Sequence, residues 1–148
     1  VYPEATISRS FEIKAFKTGA ARMAIAAGVP IVPHIVWGAQ RIWTKDHPKK
    51  MWRPKVPISI AVGKPIEPTL PAAELTALLH SRMQQLLHQV QDAYGPYPPG
   101  EFWVPHRLGG GAPTLAEANR MDAEEAAAKA ARRASPPDAE PGTLEAPG

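Results

Sequence analysis

The chain has 148 residues, a net charge of +3 and no cysteine. The lack of cysteine excludes disulfides and thiolate metal sites and fits a reducing, cytosolic setting; we predict no metal site. No apolar run approaches the roughly 18–20 residues of a membrane-spanning helix, and no signal peptide is visible. The chain opens without Met, within an apolar run, and a core of about 95 residues is small for a sheet covered on both faces. We therefore interpret it as the C-terminal portion of a longer protein.

The opening residues 1–10 begin apolar, turn at Pro3 and then concentrate a carboxylate, three hydroxyls and an Arg. This order predicts a strand end that runs into a polar site. In residues 11–16 apolar positions alternate with Glu12 and Lys14, which predicts a short extended piece with these two charges facing outward. A small-residue helix is predicted over 18–27.

Gly28 is expected to end this helix in the left-handed conformation. Residues 29–37 are nearly all apolar, which predicts a strand buried on both faces of a parallel sheet. Because Pro30 and Pro33 cannot donate ladder hydrogen bonds, the strand should lie at an edge or begin irregularly. His34, within it, is interpreted as a hydrogen-bonded core residue.

Residues 39–56 form a basic, aromatic stretch with six cations against one acid, Asp46. Cations mixed with Trp suit a membrane interface, so we expect the Arg41 to Lys55 loop to contact a membrane surface. A solvated basic loop with its Trp residues packed inward is the plainer alternative. Binding of nucleic acid through stacking on Trp is a weaker rival, and no nucleic-acid partner is predicted. The cations and large apolar residues of this loop are Arg41, Trp43, Lys45, Lys49, Lys50, Met51, Trp52, Arg53 and Lys55.

The rest of the chain is predicted as a strand over 57–68, an amphipathic helix over 71–94 that covers its own sheet, and a tail. We place the α/β domain at 1–94, a Pro/Gly-rich linker at 95–113, from which Phe102 and Trp103 fold back onto the domain, an isolated helix at 114–134 opened by a capping box, and a disordered tail at 135–148. The fold class is a partial α/β sheet covered by helices.

Three segments of residues 1–33, taken together, resemble the third and fourth sequence blocks of the glycerolipid acyltransferases, the lysophosphatidate (1-acylglycerol-3-phosphate) acyltransferase family. The third block of that family usually reads Phe-Pro-Glu-Gly-Thr-Arg-Ser, and this chain departs from it at Ala5 and Ile7. Including a Gly-x-Pro-Ile turn at 63–66, the resemblance extends over residues 1–68. The three segments are Tyr2-Pro3-Glu4-Ala5-Thr6-Ile7-Ser8, Phe16-Lys17-Thr18-Gly19 and Val29-Pro30-Ile31-Val32-Pro33.

The resemblance implies an enzyme of phospholipid biosynthesis, at the cytoplasmic face of the membrane, that moves an acyl chain from acyl-CoA or acyl carrier protein to lysophosphatidate. It implies no cofactor beyond this acyl donor. A different acceptor, such as glycerol 3-phosphate, and a non-catalytic membrane-surface module stay open as alternatives.

The family's base is a His followed five positions later by an Asp that orients the imidazole, because a hydroxyl needs a positioned base to attack a thioester. No such pair exists in this chain, so we expect it upstream and expect no turnover by this chain alone. The residues five positions after His34, His47, His80, His88 and His106 are Ala39, Trp52, Gln85, Ala93 and Gly111.

The substrate-binding residues that the resemblance implies are Glu4, Thr6 and Ser8. The family's phosphate-binding Arg is replaced by Ile7, and Arg9 is the nearest substitute. Lys17 is a second phosphate candidate because it precedes a helix N-terminus; Arg9 is preferred because a guanidinium can bind two phosphate oxygens at once. In the plainer alternative Glu4 binds backbone donors, the two hydroxyls close a turn and both cations are solvated.

Overall fold

The structure, a computed structural model, describes residue 1 and residues 3–4, 8–48 and 55–134. It consists of two compact units, Val1–Ala118 and Asn119–Gly148. The predictions made for Thr6, for residues 49–54 of the basic loop and for the 135–148 tail lie outside the described residues.

The first helix, α1, spans Gly19–Ala27, within one residue of the predicted bounds. Gly28 ends it with φ 64° and ψ 31°, which confirms the left-handed cap. Ala21 and Ala24 are the buried residues of α1, and the helix packs against the long helix α2, Ala72–Ala93. Small side chains on this face allow the two helices to approach closely.

The sheet has two strands, β1 (His34–Trp37) and β2 (Ser59–Val62), which pair antiparallel with Ile35 opposite Ala61. The expected parallel arrangement is therefore wrong for the described residues. The irregular start expected from the prolines is confirmed: Ile31 forms one isolated bridge, to Ile66, before the regular ladder begins. Proline has no N–H to donate, so the ladder cannot extend back through residues 30–33.

Among the described residues, one face of this sheet is covered and the other is exposed. Ile35 and Trp37 are buried against α2, whereas Val36 is 50% exposed. The prediction of burial on both faces is therefore wrong, because successive side chains of a strand point to opposite faces and α2 covers only one. His34 is exposed for the same reason and is not a core residue.

Helix α2 confirms the predicted amphipathic helix and its role in covering the sheet. Its N-terminal half packs on α1 through Leu75 and Leu79, and its C-terminal half packs on β1 through Leu87 and Val90. Leu75 is fully buried. The helix thereby holds α1 and the sheet in one core.

Residues 95–113, predicted as a linker, contain a buried group of side chains. Val104 is fully buried and Trp103 is 6% exposed, which confirms that Trp103 folds back onto the domain. Phe102 stacks on His47, with 4.0 Å between the ring centroids. A short 3-10 helix, His106–Leu108, follows these residues.

The last helix, α3, spans Leu115–Ala134 and begins with the predicted capping box. The Thr114 backbone N–H donates to the Glu117 carboxylate at 2.9 Å, and the Glu117 N–H donates to the Thr114 hydroxyl at 3.3 Å. These reciprocal bonds satisfy N–H groups at the helix start. Across the described parts of the chain, none of the helices has the length and hydropathy of a membrane span.

Candidate functional site

The described residues of the opening form turns and bends. Pro3 and Glu4 lie in a turn, and residues 9–12 form bends. The predicted strand is therefore wrong for these positions. A strand needs a neighbouring strand for its ladder hydrogen bonds, and in the described part of the chain the Pro3 carbonyl instead accepts one bond, from the Lys17 N–H at 3.1 Å.

This bond places Pro3 beside Lys17, whereas the neighbouring Glu4 side chain interacts with Lys14. The carboxyl is partly buried, and its burial raises the pKa of Glu4 above its ordinary value, although a hydrogen bond from the Lys14 backbone and the charge of Lys14 act in the opposite direction. Burying a carboxylate costs stability. The Glu4 carboxyl is therefore a partly buried group with a backbone hydrogen bond, not a freely solvated surface charge.

Glu4→Gln is expected to leave the stability of the chain at pH 7 equal to or higher than that of the wild type. Because the folded-state pKa is raised, the stability that protonated Glu4 supplies is present below the ordinary value of 4.5 and is lost as pH rises through the folded pKa. Denaturant unfolding of both proteins between about pH 4 and pH 7 measures this difference. If Glu4→Gln is less stable than the wild type at pH 7, the interactions of Glu4 with Lys14 outweigh the cost of burying its carboxylate, and the prediction is wrong.

Ser8 closes a local turn. Its hydroxyl lies 2.9 Å from the Ser10 hydroxyl and donates to the Glu12 carbonyl at 2.8 Å, while the Glu12 N–H donates to the Ser10 hydroxyl at 3.3 Å. These bonds fix residues 8–13, which we call the 8–13 loop. The turn-closing alternative for Ser8 thus describes its observed contacts.

Arg9 is bound to an acid from another loop. Its Nε donates to Asp46 Oδ2 at 2.6 Å and its Nη2 to Asp46 Oδ1 at 3.5 Å, and the Arg9 side chain is only 9% exposed. The hydrogen bond from Arg9 lowers the pKa of Asp46. A phosphate bound by Arg9 would have to compete with this carboxylate.

Lys17 is exposed and lies directly before the N-terminus of α1. The first turn of α1 contains no acidic residue, so the positive end of the helix dipole adds to the charge of Lys17. The backbone of Pro3 and Lys17 is thus brought together at the start of α1, whereas Arg9 is held toward Asp46.

The described part of the basic loop is not uniformly solvent-facing. Arg41 donates to the Tyr94 hydroxyl at 3.0 Å and lies 4.3 Å above the Trp103 ring, a cation–π contact. Trp43 is 51% exposed, and Lys55 is exposed. Arg41 therefore stabilises the domain, while Trp43 and Lys55 face solvent.

A second group of charged residues lies where no motif indicated one. Glu12, predicted to face outward, instead lies 3.2 Å from His88 Nε2 and 3.3 Å from Arg107 Nε, with its side chain 19% exposed. The prediction was wrong because alternation in a short loop does not identify partners far along the chain. These residues border a cleft of about 320 Å³ that Ser10 and Thr114 also line.

A larger groove of about 580 Å³ runs between the end of β2 and α2. Its lining includes the apolar side chains of Pro33, Ile66 and Leu78 and the cations Lys64 and Arg82. The substrate-binding candidates that the structure describes, Glu4, Ser8, Arg9 and Lys17, are not among its lining residues.

The comparisons with known proteins concern the opening of the chain. The acyltransferase family model matches residues 1–37, one quarter of the chain. The matched part of the chain contains Glu4, Lys17 and α1, and the match agrees with the resemblance stated from its motifs.

Among solved structures, the chain is similar to the 1-acyl-sn-glycerophosphate (LPA) acyltransferase PlsC from Thermotoga maritima, at 20% sequence identity and a TM-score of 0.49. The matched region covers 65% of this chain and 38% of that protein, so the chain corresponds to well under half of its length. A search of curated protein sequences finds no match.

Proposed function

We propose that this chain is the substrate-binding, C-terminal part of an O-acyltransferase of phospholipid biosynthesis. The parent enzyme transfers an acyl chain from acyl-CoA or acyl carrier protein to lysophosphatidate. The observation that carries the proposal is that the family match covers residues 1–37, which include the partly buried Glu4 carboxyl and the exposed Lys17 before the α1 N-terminus.

In this proposal Glu4 contacts the glycerol part of the acceptor, and Lys17 with the α1 N-terminus binds its phosphate. Backbone N–H groups at a helix start and an adjacent ammonium are suited to a phosphate dianion. Arg9 is the weaker phosphate candidate because Asp46 already binds its guanidinium. The geometry thus favours Lys17 over Arg9, the reverse of the order inferred from residue type alone. Thr6 keeps the role that the motif implies.

The base that activates the acceptor hydroxyl comes from the upstream part of the parent enzyme. The 148 residues contain no His followed five positions later by Asp, and a hydroxyl attacks a thioester slowly without such a base. The chain alone is therefore inactive. The parent enzyme acts at the cytoplasmic face of the membrane as a peripheral protein, with Trp43 and Lys55 on the contacting loop.

The test is steady-state acyl transfer by the longer protein, with acyl-CoA as donor and lysophosphatidate or glycerol 3-phosphate as acceptor. We expect turnover with lysophosphatidate, and we expect Glu4→Gln and Lys17→Ala each to lower kcat/KM for the acceptor by about tenfold or more, the loss that one charge-assisted hydrogen bond represents. Asp46→Asn is the matched control, because it removes the partner of Arg9 without touching Glu4 or Lys17.

Three results would contradict the proposal. Turnover by residues 1–148 alone would refute the assignment of the base to upstream sequence. A longer protein that binds vesicles of anionic phospholipid but transfers no acyl group from either donor would support the membrane-surface alternative. Full activity of Glu4→Gln would show that the Glu4 carboxylate does not contribute to acceptor binding.

A further inference from the structure

The 8–13 loop is held in place by contacts with residues that lie about 80 to 95 positions later in the sequence. Gln91, on α2, is fully buried, and its Nε2 donates to the Phe11 carbonyl at 3.3 Å. Arg107 lies 3.3 Å from the Glu12 carboxylate and donates through Nε to Gln91 Oε1 at 3.0 Å. Both ends of the Gln91 amide are thus used, one on the loop and one on Arg107.

Arg107 is the centre of this network. Its Nη2 also donates to Gln91, and its Nη1 donates to Asp92 Oδ1 at 3.4 Å. A guanidinium offers five donors in a fixed planar fork, so one side chain connects the loop to two residues of α2. Its side chain is 31% exposed and lies at the rim of the 320 Å³ cleft.

The backbone of the loop needs this support. Phe11 has φ 57°, a left-handed conformation that bulky residues rarely adopt and that persists only when its surroundings enforce it. The Phe11 carbonyl is bound by Gln91, and its ring makes an edge contact with Trp37 at 6.4 Å between centroids. Without these contacts the loop would relax toward common backbone angles.

We propose that Arg107, acting through Glu12 and Gln91, is a positioning residue for acceptor binding by the parent enzyme. The inference rests on the proposed function. Ser8, the last residue of the Pro3-Glu4-x-Thr6-x-Ser8 motif, is the first residue of the 8–13 loop and donates to the Glu12 carbonyl, so the conformation of the loop determines where Ser8 lies. The 101–112 segment, which contains Arg107 and lies outside the 1–37 family match, therefore has a role in acceptor recognition.

Charge makes this role distinguishable from simple packing. Arg107 lies 3.3 Å from the Glu12 carboxylate and offsets its charge, and Glu12 is joined to the motif because its carbonyl accepts from the Ser8 hydroxyl. When Arg107 is replaced by a neutral residue, Glu12 keeps only His88 as a partner, and its negative charge disfavours an anionic acceptor nearby. Removing the Glu12 charge as well should then restore part of the acceptor affinity.

The kinetic test compares Arg107→Gln, Arg107→Lys and the double variant Glu12→Gln/Arg107→Gln in the longer protein. We expect Arg107→Gln to raise KM for lysophosphatidate by about tenfold, because it removes the ion pair with Glu12 and the hydrogen bonds to Gln91 and Asp92, with KM for acyl-CoA unchanged. Arg107→Lys should lie between Arg107→Gln and the wild type, because it keeps the charge without the fork. The double variant should recover part of the loss. Arg120→Gln, which removes an exposed pair with Glu124 on α3, should have no effect.

A second measurement does not depend on activity. In residues 1–148, Arg107→Gln should speed amide hydrogen exchange in the 8–13 loop, while the amides of α2 keep their protection. A longer protein without any acyl transfer would refute the proposed function but leave this measurement valid. Unchanged loop exchange, or equal rises of KM for donor and acceptor, would overturn the positioning role. If Arg107→Gln does not fold, Arg107→Lys is judged by the same criteria.

Discussion

Replacing Gly110 by Ala is expected to lower the free energy of unfolding of the chain by about 3 kcal/mol or more, the upper range for overpacking against a rigid neighbour. A Cβ at this position would overlap the backbone carbonyl of Val104. That carbonyl cannot move away freely because it accepts a bond from the Ala112 N–H at 3.1 Å, and Gly110 is itself bound to Pro105 at 3.1 Å. We expect the 101–112 segment to lose its packing.

Denaturant unfolding followed by Trp fluorescence measures this effect, since Trp103 lies in the affected segment. Gly19→Ala is the matched control: a Cβ at Gly19 meets nothing within 4 Å, and the residue begins α1. Ala favours helix over Gly by up to about 1 kcal/mol, so this variant should be at least as stable as the wild type. Equal stability of the Gly110 and Gly19 variants would contradict the close packing at Val104.

Leu75→Ala is expected to cost about 2–5 kcal/mol, the range for deleting a buried Leu side chain. The Leu75 side chain is fully buried: its exposed fraction is 0%, and it packs with Ala21, Ile66 and Leu79. Small neighbours such as Ala21 cannot expand to fill the cavity. The loss should therefore appear as a lower denaturant midpoint with little change in slope.

Leu78→Ala, on the same helix, is the control for Leu75→Ala. Leu78 is only partly buried, so less apolar area returns to water and a smaller cavity forms. The loss of stability should be clearly smaller than for Leu75→Ala. A loss as large as that of Leu75→Ala would show that the core cluster extends further toward the surface than the exposure of Leu78 indicates.

The helices were predictable because their signals are local. The apolar spacing of α2, the glycine after α1 and the Thr114–Glu117 box before α3 each depend on contacts within a few residues. The buried face of each strand was not predictable from the sequence. Alternation in residues 57–68 separates two sets of side chains, but it does not say which set α2 covers, and the larger set, with Ile60 and Val62, is exposed.

The family motif was recognisable in the sequence, whereas the contacts of the candidate site residues were not. The Pro3-Glu4-x-Thr6-x-Ser8 pattern identified residues that the family match includes. The pairing of Arg9 with Asp46 joins residues 37 positions apart, and that of Glu12 with Arg107 joins residues still farther apart. No spacing rule connects such pairs, because tertiary packing alone brings them together. Residue type therefore favoured Arg9 as the phosphate candidate, and its ion pair with Asp46 could not be anticipated from the sequence.

Helix α3 affects which spectroscopic signal should be used to follow unfolding. Among the described residues it buries only Ala118, yet it supplies 20 residues of α-helix, nearly as many as the 22 of α2. An exposed helix held mainly by its cap and its own backbone bonds melts gradually. Far-ultraviolet circular dichroism of the chain should therefore show a sloping, non-cooperative loss of signal ahead of the sharp transition reported by the buried indoles of Trp37 and Trp103.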